Sequence, residues 1–175
     1  VNGAIKITDK ISTMLLAHAD YFGNKFDRNE DTFMDLPNLT TYNIFNRWDF
    51  INPGKMVSKF GIKYLDETRS GGQMDFSKGM DFNEATLNTD TTGISNGTKN
   101  YGFGVHTKRL EGFWKNGFFI KNHPEASIGL ILSGINHEQD GFYGINQYHG
   151  HERSIYANLI FNTSFNNNTH KIATG

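Results

Sequence analysis

Arg109-Leu110-Glu111-Gly112-Phe113-Trp114-Lys115-Asn116-Gly117-Phe118-Phe119-Ile120-Lys121 is the stretch that decides the fold class. Leu110, Gly112, Trp114, Phe118 and Ile120 take the even positions, and Arg109, Glu111, Lys115 and Lys121 the odd ones. Successive side chains of an extended chain point to opposite faces, so this alternation makes a strand with one apolar and one charged face. The pattern recurs upstream and downstream. Ile155, Ala157, Leu159, Phe161 and Phe165 stand against Ser154, Asn158, Asn162 and Ser164. Tyr42, Ile44, Trp48 and Phe50 stand against Thr41, Asn43, Arg47 and Asp49. Ile11, Leu15, Ala17, Ala19 and Tyr21 stand against Ser12, His18 and Asp20, with Met14 and Leu16 breaking the rule. A helical period is hard to find. Composition agrees, because Phe 15, Tyr 7 and Gly 19 in a chain only 37% hydrophobic favour strands and turns over helices.

The breaks between strands come in two sizes. Thr8-Asp9-Lys10, Asn52-Pro53-Gly54-Lys55, Asn122-His123-Pro124-Glu125 and Asn166-Asn167-Asn168-Thr169 read as short turns, and 26–40, 68–100 and 139–152 as long loops. They alternate along the chain. Hairpin-linked strands alternate in direction, so short turns gather at one end of the sheet and long loops at the other. Outer-membrane barrels sort their connections this way. The spacing predicts strands over 1–7, 11–26, 41–51, 56–69, 100–121, 127–139, 153–165 and 171–175, in one antiparallel meander. Several exceed the roughly 9–11 residues that cross a hydrocarbon layer. Trp48, Phe50, Phe118 and Phe165 lie near short turns, and Tyr21, Tyr42 and Tyr64 near long loops, as two aromatic girdles would require. The other face carries His18, Asp20, Arg47, Asp49, Lys59, Lys63, Arg109, Glu111 and Lys115, a set that a dry core holds only at high cost. The alternative from pattern alone is a soluble β-sandwich, of which a carbohydrate-binding module rich in Asn and aromatics is one form.

Charge and motifs exclude several functions. Lys plus Arg is 17 and Asp plus Glu 18, for a net charge of −1, so no basic excess marks a nucleic-acid binder. Cys is 0, which excludes a disulfide framework, thiolate metal sites and a Cys nucleophile. No nucleophile elbow, P-loop or His-Glu-x-x-His pattern occurs, and no paired-acid or Ser/His site is evident, so the chain reads as a non-enzyme. Met14-Leu15-Leu16-Ala17, the densest apolar run, is far shorter than the roughly 18 residues of a spanning helix. Val1 and the terminal Lys171-Ile172-Ala173-Thr174-Gly175 read as cuts within a longer protein.

Six stretches, in order, resemble the barrel domain of TonB-dependent outer-membrane receptors, close to the cobalamin and metal-chelate subgroup. They are Lys10-Ile11-Ser12-Thr13-Met14-Leu15-Leu16-Ala17-His18, Tyr42-Asn43-Ile44-Phe45-Asn46-Arg47-Trp48, Gly71-Gly72-Gln73-Met74, Tyr101-Gly102-Phe103-Gly104-Val105, His137-Glu138-Gln139-Asp140 with Phe142-Tyr143-Gly144, and Tyr156-Ala157-Asn158-Leu159-Ile160-Phe161. The resemblance implies that residues 1–175 are a partial β-barrel domain, about eight strands of a 22-stranded transmembrane barrel in a Gram-negative outer membrane. It implies import of a scarce chelate, cobalamin or a ferric siderophore. The implied partners are outer-membrane lipid, the TonB complex acting through a plug that this chain lacks, the chelate ligand and a surface lipoprotein. Neither a TonB box nor a closing strand ending in an aromatic is present.

Candidate sites lie in the loops. Asp27, Asn29, Asp31 and Asp35 place oxygen side chains at positions 1, 3, 5 and 9 of a loop, with the Phe33 carbonyl at 7. This matches the first part of an EF-hand calcium loop, although Thr32 replaces the usual Gly and Asn38 the usual Glu. The resemblance adds weight, since cobalamin receptors of this kind hold calcium in their outer loops. The alternative is an ion-free hairpin built on Asx-turns. Phe142, Tyr143 and Tyr148, in the loop predicted at 139–152, offer flat apolar faces either to a ligand or to the loop's own packing. His149 and His151 share one side of an extended segment, as a metal pair would need, or are simply polar loop residues. Asp66, Glu67 and Glu138 read as solvated rim charges. The 68–100 loop, with its Gly residues and a Thr/Asn/Asp run, reads as the most mobile part and a candidate for ligand or lipoprotein contact.

Overall fold

The computed structural model describes residues 1–76, 101–144, 146–165 and 170–175, without the side chains of 124 and 165. They form one all-β sheet of eight strands in chain order, each antiparallel to its neighbours. The strands are β1 (Asn2–Lys6), β2 (Ile11–Phe22), β3 (Asn38–Asn52), β4 (Met56–Gly72), β5 (Gly102–Ile120), β6 (His123–Tyr143), β7 (Asn146–Phe165) and β8 (His170–Thr174). The meander predicted from alternation is therefore present. Among the described residues no helix is long and apolar enough to cross a membrane.

The strand ends differ from expectation in both directions. β2 stops at Phe22, four residues early, and the chain turns so that Phe26 packs back on Phe22 with ring centroids 6.0 Å apart. β3, β4, β6 and β7 are all longer than predicted. The long loop expected at 139–152 is absent. β6 continues to Tyr143 and β7 begins at Asn146, leaving a tight connection at Gly144 (φ 60°), a left-handed conformation that glycine takes at no steric cost. Cross-strand pairs hold this extension, with Asp140 opposite His149 and Glu138 opposite His151. The turn expected at 122–125 is tighter too. Asn122 takes φ 66°, β6 starts at His123, and the β5–β6 register slips between Phe119 and Ile120. β4 runs on through Gly72, and Gln73 bridges to Phe33. Residues 77–100, the bulk of the loop read as mobile, and the turn at 166–169 lie outside the described residues.

Among the described residues no interior core forms. Among the described residues only Ala126 and Phe142 are buried apolar side chains, and no large side chain is fully enclosed. Glycine–aromatic contacts stiffen the sheet instead. The Phe113 ring lies over Gly61 of the neighbouring strand, Phe103 over Gly71 and Phe142 over Gly104, each occupying the space that a Cβ would fill. These rings cover backbone that glycine leaves bare, a recognised way of recovering packing at strand glycines.

Candidate functional site

Register assigns every strand residue to one of two faces, because directly paired residues of antiparallel strands share a face. The first face carries Thr13, Trp48, Phe60, Trp114, Leu132 and Ala157 in one row across β2 to β7. Adjacent rows add Ile11, Phe50, Leu130 and Leu159 on one side, and Leu15, Ile62 and Ile155 on the other. Most of these side chains are exposed, Ile155 being 91% and Leu159 62% accessible, and the rest, such as Leu130 and Leu132, are half-buried. An apolar surface of this extent needs a covering environment.

The band is oblique to the rows. Its upper edge runs through Tyr21 on β2, Tyr42 on β3, Tyr64 on β4, Leu110 on β5 and Ile155 on β7. Tyr21 is in register, strand by strand, with His149, and Ile155 lies six residues further along β7. Six residues over five strand steps is roughly 1.2 residues per strand, or about 4 Å against a strand spacing of about 4.8 Å. The slope is therefore about 40°. The lower edge slopes the same way, from Ile11 on β2 to Ile172 on β8. On β4 the band spans Met56 to Tyr64, about 27 Å along the strand and about 20 Å after correction for that slope.

Some polar side-chain atoms of the band are satisfied locally, whereas the buried Asn116 amide nitrogen, in the row of Phe50 and Leu130, has no hydrogen-bond partner among the described residues. Trp48 Nε1 donates to Asn46 Oδ1 at 2.7 Å and Trp114 Nε1 to Ser58 Oγ at 3.0 Å, both from the Phe60 row that crosses the middle of the band on β4 and β5. The Tyr64 hydroxyl donates to Asp66 Oδ2 at 3.0 Å at the upper edge. An apolar ring with an anchored polar tip suits a boundary between oil and water.

The second face holds all nine charged and His residues assigned to it from sequence. Arg47 engages Asp49 at 3.0 Å, Arg109 meets Glu111 at 2.6 Å, and Glu67 meets Arg69 at 2.6 Å. Lys59 and Lys115 stand directly opposite one another, an arrangement that costs stability between neighbouring strands unless water or a counter-charge intervenes.

The predicted aromatic platform does not form as expected. Phe142 belongs to the first face, packed over Gly104 and beside Phe76 at 6.1 Å, whereas Tyr143 and Tyr148 belong to the second. All three are strand residues. Tyr143 instead stacks on Phe103, with centroids 6.2 Å apart and an interplanar angle of 12°. Tyr148 lies along its own strand over Gly150. The surface on the second face is thus Phe103, Tyr143 and Tyr148. Phe103 was missed because its neighbour across the sheet is set by register, which single-strand alternation does not contain.

In the first loop, carboxylates cap backbone amides. Asp27 accepts from the N–H groups of Asp31 and Thr32 at 3.2 and 2.9 Å. Asp31 accepts from the Phe33 N–H at 2.8 Å and from the Asn29 amide at 2.9 Å. Asp35 accepts from the Arg28 N–H at 2.9 Å. These are Asx-type turns. Glu30 and Thr32 adopt positive φ, 59° and 73°, to close them. The loop is tied to the end of β4 by Met34 N–H to Gly72 O, and to the segment that follows β4 by Lys25 Nζ to the carbonyls of Met74 and Phe76. Among the described residues no group of three or more His, Asp or Glu side chains is arranged to hold a metal ion. A calcium ion in this loop would have to share oxygens already used by amides.

Asp66 and Glu138, read as rim charges, lie inside β4 and β6 on the first face, and Glu67 on the second. His149 and His151 do share a face, where each is drawn to a carboxylate, Asp140 and Glu138 respectively. Comparison of the chain with protein-family models, with curated proteins and with solved structures finds no match.

Proposed function

We propose that the chain is a strip of the wall of a transmembrane β-barrel, with its first face in lipid and its second face lining a wet lumen. The observation that carries this reading is the slope of the apolar band. Strands of a membrane barrel tilt by about 35–45°, so a level hydrocarbon layer crosses them obliquely. A band sloping at about 40° with aromatics at both edges is what a flat bilayer would select. β5 to β7 run 19, 21 and 20 residues, about 65–70 Å, well beyond the span of the layer, so their upper ends stand outside it.

The finer reading is a TonB-dependent outer-membrane receptor importing a scarce chelate of the cobalamin or ferric-siderophore type. Its support is the ordered set of resembling stretches, which fall at β2, β3, the end of β4, the start of β5, the upper part of β6 and β7. On this reading Phe103, Tyr143 and Tyr148 face the ligand mouth, and calcium in the first loop would exchange the amide caps of Asp27, Asp31 and Asp35 for a cation. The test is fractionation of the full-length protein, followed by uptake. Solubility only in detergent, heat-modifiable gel mobility, and loss of cobalamin or ferric-siderophore uptake on gene deletion are expected. A water-soluble monomer would overturn the barrel reading in favour of a sandwich module. Intact uptake of every chelate tested would overturn the receptor reading alone.

A further inference from the structure

Directly above the apolar edge, the lipid-side face of β4 to β7 changes character within one or two rows. Asp66, Lys108, Glu138 and His151 share one row, and His106, Asp140 and His149 lie in the next. The carboxylates there have imidazole partners. Asp66 meets His106 Nε2 at 2.9 Å, Asp140 binds His149 Nδ1, and Glu138 lies 3.9 Å from His151 Nε2. Two permanent cations remain, Lys108 and Arg153, and among the described residues neither has a carboxylate within ion-pair distance. Both are exposed. Each sits two residues beyond the last apolar side chain that its own strand places on this face, Leu110 on β5 and Ile155 on β7. Arg153 is also held in place. Its Nε donates to Asn136 Oδ1 at 2.9 Å and lies 3.1 Å from His151 Nε2, which is itself 2.8 Å from the same oxygen, and the Asn136 amide donates to Glu138 at 3.2 Å.

The geometry points to a lipid-headgroup site: Lys108 and Arg153 engage the phosphates of an anionic glycolipid in the outer leaflet, beside β5 to β7. This rests on the membrane reading above. Charge complementarity selects the occupant. Two strand-borne cations that form no ion pair among the described residues, one of them on a hydrogen-bonded support, stand at the height where phosphates meet the hydrocarbon edge. A guanidinium fixed through Nε still has two terminal nitrogens for a phosphate. The same residues would be poorly placed for a ligand inside the lumen, which lies across the sheet.

The test uses the full-length protein in detergent, with native mass spectrometry reading retention of bisphosphorylated lipid A and of the same lipid after phosphatase treatment. Wild type is expected to retain the phosphorylated lipid selectively. The double variant Lys108→Gln with Arg153→Gln is expected to retain it roughly thirtyfold less, while Lys59→Gln with Lys115→Gln on the opposite face behaves as wild type. Excess inorganic phosphate should compete only weakly if the occupant is the lipid. Equal retention by wild type and the Lys108/Arg153 variant, equal retention of the dephosphorylated lipid, or full displacement by inorganic phosphate would each overturn the inference. Quenching of Trp48 and Trp114 by brominated lipids separates the two readings. Unquenched tryptophans would overturn the membrane reading and this site with it, whereas quenched tryptophans without phosphate selectivity would overturn this site alone.

Discussion

Gly61 shows how much of this sheet is decided by single residues. A Cβ there would lie 2.5 Å from the edge of the Phe113 ring, so a side chain must displace that ring. Phe113 also stacks on Phe45 at 6.4 Å and lies under Lys115 Nζ at 5.5 Å, contacts that move with it. Gly61→Val should destabilise the folded protein by about 1–3 kcal/mol, the usual range for overpacking, read as a lower midpoint for the loss of heat-modifiable mobility. Gly54 offers a control of a different kind, because space around it is open and only its φ of 70° resists substitution. The first loop supplies a second residue-scale test. Asp31→Ala removes the caps on Phe33 and Asn29 and should speed proteolysis within 26–36 without unpairing β2 from β3. If calcium occupies the loop, chelation should speed the same cleavage in wild type and add nothing in Asp31→Ala; no response in wild type would leave the loop ion-free.

At the scale of elements, alternation was legible wherever the two faces differ in polarity. β2 to β5 could be placed because Leu110, Trp114 and Phe118 contrast with Arg109, Glu111 and Lys115. The contrast disappears above the apolar edge. There His149 and His151 on one face alternate with Gly150 and Glu152 on the other, and a strand wet on both sides carries no signal of period two. The segment therefore read as a loop. The three aromatics named from sequence fall on two faces for a related reason. Phe142 and Tyr143 are adjacent in sequence and so must lie on opposite faces once the segment is a strand. Phe103 could join Tyr143 only through register. The calcium spacing is legible as an oxygen pattern, and the same short Asp side chains that can reach an ion also reach their own backbone, whose amides they cap here. The face assignment has a direct energetic consequence on β6. Leu130→Arg puts a charge into the apolar band and should cost about 2–4 kcal/mol of folding free energy in lipid. Ser133→Arg, three residues away on the other face, should cost far less. Urea titration in lipid vesicles measures both, and equal costs would refute the face assignment.

At the scale of the whole molecule, the sheet formed by the described residues has two open edges, β1 and β8, each of five residues, and an uncovered apolar face. Unpaired edges and exposed apolar area both favour association. The 175-residue strip alone should sediment as aggregate in water and disperse only in detergent. The most direct measurement is a nitroxide scan of β5 in the full-length protein reconstituted into lipid vesicles. Single cysteines replace Leu110, Glu111, Gly112, Phe113, Trp114 and Lys115 in turn, and collision rates with dissolved oxygen are compared with those of a water-soluble nickel chelate. Oxygen should dominate at 110, 112 and 114 and fall at 111, 113 and 115, a repeat of two in phase with the apolar face. A flat profile, or nickel access at 110, 112 and 114, would contradict a lipid-facing wall.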